Sequence, residues 1–242
     1  MKLSRRYIAL ITLLFVSSFS VSAVDLSGRS EADLKRDKTS KPTEVLKMMG
    51  VKSGDTVLDF FGGGGYYTEI LSRAVGEEGE VVLHNNKAYL GFVGVALVTR
   101  LANDRLTNVT RLDSEADDLK LGTERFDSAF VVLGMHDMYF KDKGWDVPVN
   151  SVMKQIKAAL KSGGRLLVID HNNAEGRGSQ DAKTLHRIEA SVIKSDLEAL
   201  GFKLVQQSDL LKNPEDDYTK SVFAPEIRHK TDRFIFIFEA AK

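Results

Sequence analysis

Apolar and polar positions change period in a regular order along the chain. Residues 56–59 form a short apolar run interrupted by one acid, Asp59, and residues 66–75 carry helical spacing closed by Gly76. Further apolar runs at 80–84, 109–112, 126–133 and 165–169 read as strands. Residues 87–101 and 151–160 read as helices between them, Gly91 and Gly94 interrupting the first and Ser151 placed to cap the second. A helix over 182–200 follows, and then two runs, 202–207 and 234–238, with only a polar connection between them. Five strands alternating with helices predict a mostly parallel sheet, and the last pair predicts an antiparallel hairpin. The expected class is α/β, a Rossmann-like doubly wound sheet of seven strands with helices on both faces.

Before this pattern begins, residues 42–49 make a short helix with Pro42 in its first turn and Gly50 after it. Residues 25–41 are polar with almost no apolar period, a surface lead-in or a loose helix. Segment 139–150, which holds Trp145 and Pro148, reads as a loop over the site, and 172–180 as a loop rich in glycine and asparagine.

The first residues form a separate unit. Lys2, Arg5 and Arg6 precede an apolar stretch over 7–19, and Val21, Ser22 and Ala23 are the small residues a signal peptidase cuts after. The stretch is too short to span a bilayer comfortably, so it predicts a signal peptide over 1–23, export to the periplasm, and no stable membrane insertion afterwards. The division expected is leader 1–23, polar lead-in 24–40 and one domain over 41–242. Ser4, Arg5 and Arg6 carry the paired arginines of a twin-arginine signal, from which Ala9 and Leu10 depart, so either export route stays open.

Lysine plus arginine and aspartate plus glutamate number 34 each, and removing Lys2, Arg5 and Arg6 leaves 31 basic against 34 acidic residues. Without a net field to draw it to nucleic acid or membrane, the chain is expected to take a small molecule as partner. No cysteine is present, which excludes disulfides, thiolate catalysis and cysteine-ligated zinc.

The chemistry starts at the turn after the first strand, Phe61-Gly62-Gly63-Gly64-Gly65. Four side-chain-free residues cost conformational entropy that packing alone does not require. They let a nucleotide-like ligand lie against the backbone near a helix N-terminus. This turn, together with Lys-Ser-Gly-Gly-Arg-Leu-Leu-Val-Ile-Asp over 161–170, resembles the class I S-adenosylmethionine-dependent methyltransferases over residues 41–240, an exported branch of them.

The resemblance implies methyl transfer from S-adenosylmethionine to a small-molecule acceptor. It sets the family's acid-x-Gly-x-Gly-x-Gly signature on Asp59, Phe61, Gly63 and Gly65, so Phe61 stands where the first glycine belongs and Gly62 could let the turn shift by one residue. The acid that takes both ribose hydroxyls is replaced by Asn85 or Asn86, a neutral group that binds a hydroxyl more weakly. Asp113, helped by Ser114, falls where the adenine amino group is met.

His136-Asp137 leaves the fourth strand and Asp170-His171 the fifth, so two histidine–aspartate pairs could face one cavity. His84, at the end of the second strand, and His186 are also expected near this rim. A hydroxyl acceptor needs a base. His136 or His171 is the expected base, oriented by Asp137 or Asp170, with His186 and Arg187 binding an anionic part of the acceptor. His136, His171, His186 and a carboxylate could also ligate zinc in a metal-dependent hydrolase, but no His-x-x-x-His spacing supports that, and no metal is assigned. The remaining alternative is an exported protein of this fold that binds another ligand without methyl transfer.

Overall fold

A computed structural model describes residues 24–240, so the expected leader over 1–23 lies outside the described residues. Two helices come first among the described residues, α1 (Glu31–Ser40) and α2 (Pro42–Met49). The alternating pattern then gives β1 (Thr56–Phe60), α3 (Tyr66–Val75), β2 (Glu80–Asn85), α4 (Lys87–Leu101), β3 (Val109–Asp113) and β4 (Phe126–Val132). The chain closes with α5 (Val149–Ala159), β5 (Leu160–His171), α6 (Ala190–Ala199), β6 (Phe202–Ser208) and β7 (Arg233–Ala240).

These seven strands form one sheet in the order β3-β2-β1-β4-β5-β7-β6. β1 to β5 pair in parallel, and β7 lies antiparallel between β5 and β6. The expected architecture is therefore the observed one. Strand order reverses between β1 and β4, and ligands of such sheets bind beside that switch, at the C-terminal strand ends.

Alternation along the strands builds a core on each face. Leu58, Phe60, Val131 and Val168 pack on one side, and Val57, Phe130, Leu167 and Ile169 on the other. Asp59 therefore points to the α3 face, where it is buried and accepts a hydrogen bond from Thr68 Oγ1 at 2.6 Å.

Two local expectations are corrected and two are sharpened. The helix over 182–200 begins only at Ala190, because the amides before it serve tertiary acceptors: Ile188 N donates to His171 O and Glu189 N to Gly178 O. His186 also sits at φ 55°, which no α-helix accommodates. Ser151 does not cap α5, which starts at Val149 after Pro148. The lead-in holds a helix, one of its two expected forms, and a fastened one: α1 is capped by Ser30, and its Asp33 and Asp37 meet Arg100 and the Tyr66 hydroxyl. Segment 139–150 turns back as a two-residue ribbon, Lys141–Asp142 against Trp145–Asp146, whose Trp145 Nε1 donates to Asp137 O at 2.6 Å.

Candidate active site

The glycine turn joins β1 to α3 as the sequence predicts. Gly62 is sterically required, since a Cβ there would lie 2.3 Å from Leu83 Cδ1 and 2.6 Å from Asp59 Oδ2. Gly65 caps α3 at φ 79°, the left-handed conformation that glycine adopts most cheaply. Phe61 is also left-handed, at φ 52°, an outlier for a bulky residue. Its buried ring stacks on Tyr89 at 4.9 Å and 8° and lies 5.7 Å from Trp145.

Asn85 is committed to this turn. Its Oδ1 accepts from Gly63 N at 3.0 Å, and its Nδ2 donates to Gly63 O at 3.0 Å. Asn86 instead caps α4 by accepting from Tyr89 N at 2.8 Å. Asn85 thus has both polar atoms engaged with the turn, and Asn86 has its side-chain oxygen engaged with the helix. Helix α4 lies along the turn, with Arg100 Nε donating to Gly64 O at 2.7 Å and its guanidinium also reaching Asp33 and Glu69. Tyr89 stands beside both glycines of the gap: a Cβ on Gly63 would be 3.7 Å from its ring, and one on Gly134 3.7 Å from its hydroxyl.

Beside the first turn of α4, an open cleft of about 520 Å³ is lined by Lys87, Leu90, Asp113, Ser114 and Glu115. Asp113 is exposed there and pairs with Arg111, while Ser114 Oγ donates to Leu119 O. His84 takes no part in the histidine group. It is buried, stacked on Phe60 at 4.4 Å, and donates through Nε2 to Ser114 O.

Over β4 and β5 the ionisable groups converge. The buried carboxylate of Asp170 accepts from His136 N and from His136 Nδ1, both at 2.8 Å. That leaves His136 Nε2 facing His186 Nδ1 at 3.1 Å and Asp137 Oδ1 at 3.2 Å. Asp137 Oδ1 is 3.7 Å from His186 Nδ1, and Asp137 Oδ2 accepts from the Tyr89 hydroxyl at 3.3 Å. Burial opposes a charge on His136, but Asp170 and Asp137 outweigh it and hold its pKa up at about 10. Burial likewise opposes a charge on Asp137, and His136 and His186 hold its carboxyl well below the usual range.

Two expected members stand apart. His171 turns its Nδ1 to Thr231 Oγ1 at 2.7 Å, and burial, reinforced by the positive charges of His136 and Arg233, pushes its pKa far down. It is a neutral ring bonded to the late loop. Arg187 is fully buried, with Asp216 taking NH1 and NH2 at 2.9 Å, Lys220 O taking Nε and Asn172 O sharing NH1. It anchors the connection between β6 and β7, with four of its five N–H donors committed and its charge already paired with Asp216.

Tyr89 escapes the reading of the sequence, whereas Trp145 lies on the segment expected to cover the site. The helical spacing of 87–101 offered a signal only for a core face, and nothing local tied Trp145 to Asp137.

The sequence profile of the ubiE/COQ5 methyltransferase family matches residues 33–189. The chain belongs to the ubiE/COQ5 methyltransferase family. It is 33% identical over 127 residues to the ubiquinone/menaquinone biosynthesis C-methyltransferase UbiE of Pseudomonas aeruginosa (strain LESB58), a stretch covering 52% of this chain and 45% of that relative. The chain thus spans about half the length of the curated relatives it matches.

Among solved structures it resembles a SAM-dependent methyltransferase from Aquifex aeolicus, with TM-score 0.63 and 20% identity, covering 86% of this chain and 93% of that one. It also resembles the methyltransferase bound to the Trm112 activator in Haloferax volcanii, with TM-score 0.62 and 16% identity, covering 87% and 93%. Those two likenesses are of fold.

A methyltransferase family on this fold implies S-adenosylmethionine as cofactor. The adenosine end fits: the glycine turn, the helix N-terminus and the cleft at Asp113 and Ser114 lie along one rim. Between Gly63 and Gly134 the space is filled by the rings of Phe61 and Tyr89, which belong to the turn and to α4.

Proposed function

We propose that this member of the ubiE/COQ5 family transfers the methyl group of S-adenosylmethionine to a small-molecule acceptor at the rim of β4 and β5. The observation that carries the reading is the glycine turn at the β1/β4 switch point in a chain matched by the family profile. Bound there, the cofactor's sulfonium offers a methyl carbon to an in-line nucleophile. Gly62 to Gly65 cradle the cofactor backbone, and Asp113 and Ser114 meet the adenine end. The Tyr89 ring moves aside with α4, whose Phe92, Val95 and Val98 are 90%, 85% and 65% exposed and of which only Leu97 is buried.

The acceptor's reacting atom faces His136, Asp137 and His186. His136 itself is no free base there, since its two carboxylates hold a proton on the ring. His171 is screened from the rim by Thr231.

Calorimetric titration of the full chain with S-adenosylmethionine tests the reading. Saturable heat is expected, weakened in Asp113→Ala and strengthened in Tyr89→Ala. Absence of heat at millimolar ligand in both wild type and Tyr89→Ala overturns it.

The basic, apolar and small residues over 1–23 support export of the chain. N-terminal sequencing of protein from the periplasmic fraction of a bacterial host should begin at Val24, and full-length protein confined to the cytoplasm rejects export.

A further inference from the structure

Three potential ligand atoms face one another across the rim, His136 Nε2 once an ion displaces its proton, Asp137 Oδ1 and His186 Nδ1, separated by 3.1, 3.2 and 3.7 Å. Ligands about 2.0–2.1 Å from one zinc-class ion stand roughly 3.3 Å apart in a tetrahedral shell, so these spacings are those of donors around a common centre. They come from separate parts of the chain, the exit of β4 and the segment before α6.

Each donor is held from behind. Asp170, wholly buried at the end of β5, accepts the His136 Nδ1 proton and so fixes the ring with Nε2 turned to the shared point. A carboxylate on the far nitrogen is how metal-ligating histidines are oriented and made more basic. Asp137 is steadied by the Tyr89 hydroxyl on Oδ2 and by Trp145 on its carbonyl. His186 sits at φ 55°, in a conformation a β-carbon disfavours, and is kept there because Asp181 O accepts from the amides of Leu185 and Arg187 on either side. Strained backbone of this kind persists where surrounding contacts dictate a side chain's position.

We propose that His136, Asp137 and His186 bind one divalent transition ion of the zinc class. Two imidazole nitrogens and one carboxylate oxygen, with no thiolate, are the donor set such ions take. Three protein ligands leave a coordination position open, on the side where the His186 ring is 27% exposed. An oxygen bound there loses its proton more readily, here to the solvent that reaches this side. That would activate a hydroxyl acceptor where no free imidazole base is at hand. This use rests on the methyl-transfer reading, whereas the site itself does not.

The test is a titration of the untagged full chain, freed of metal by a chelator, with Co²⁺ followed by visible absorption. Saturation at one ion per chain, with bands displaced by Zn²⁺, is expected. Asp137→Asn and His186→Ala should abolish the bands, while Asp170→Asn should keep the stoichiometry and weaken binding by roughly 10–100-fold. Circular dichroism establishes that each variant is folded. Native mass spectrometry of the wild type with Zn²⁺ gives a readout independent of any variant. Failure of the wild type to bind either ion, or bands unchanged in folded His186→Ala, overturns the proposal.

Discussion

Over β1 and β2 the rim is closed by a neutral amide and aromatic rings, whereas over β4 and β5 it is closed by carboxylates and imidazoles. In the first region Asn85 returns both of its polar atoms to Gly63, and Phe61 packs on Tyr89. In the second, Asp170, His136, Asp137 and His186 form an unbroken chain of contacts reaching the surface at His186. A neutral clamp yields at moderate cost, while a charged cluster keeps its geometry because any buried charge left unpaired is expensive. The cofactor side is thus built to open and the acceptor side to stay put.

The largest effect that breaks this contrast comes from the anchor beneath the charged region. Asp216→Ala leaves the Arg187 guanidinium buried without its counter-ion and should cost about 3–5 kcal/mol, read by urea unfolding. Next comes the tether of α4. Glu69 is buried, which opposes its charge, yet Arg105 and Arg100 hold its pKa down at about 2. A carboxylate lowered in the folded state contributes stability above its unfolded value near 4.5, and that contribution disappears as pH falls toward 2. The advantage of wild type over Glu69→Gln should therefore shrink by about 3 kcal/mol between pH 5 and pH 2, measured by denaturant midpoints at each pH.

A smaller loss is expected for Asn85→Asp, which removes the donor to Gly63 O and places a charge against that carbonyl. About 1–3 kcal/mol should be lost in urea unfolding. The smallest effect concerns Phe61. Removing the ring destabilises either way, but at φ 52° Phe61→Gly should be more stable than Phe61→Ala by about 1 kcal/mol, reversing the usual order of those residues.

Most of the fold is legible in the sequence because apolar strands and helical spacing alternate up to β5, save between β3 and β4 where no helix intervenes, and buried parallel strands need no partner-specific signal. The segment before α6 is not legible. Leu185 and Ile188 keep an apolar spacing, and only the tertiary acceptors Gly178 O and His171 O, distant in sequence, decide that its amides leave the helix. In the site, the convergence of His136 and Asp170 follows from neighbouring strands that end in acids and histidines. The loss of His171 to Thr231 and of Arg187 to Asp216 does not, since both partners sit on the long connection between β6 and β7, whose path no local pattern dictates. Asn85 could be flagged as a departure from the family's acid, but its embrace of Gly63 could not.

Helix α4 presents Phe92, Val95 and Val98 to solvent and is fastened chiefly at its ends, by the Asn86 cap and by Arg100. A segment held in that way opens as a unit at a free energy below that of global unfolding. In deuterated water its amide protons should be replaced while those of β1 and β4 remain protected.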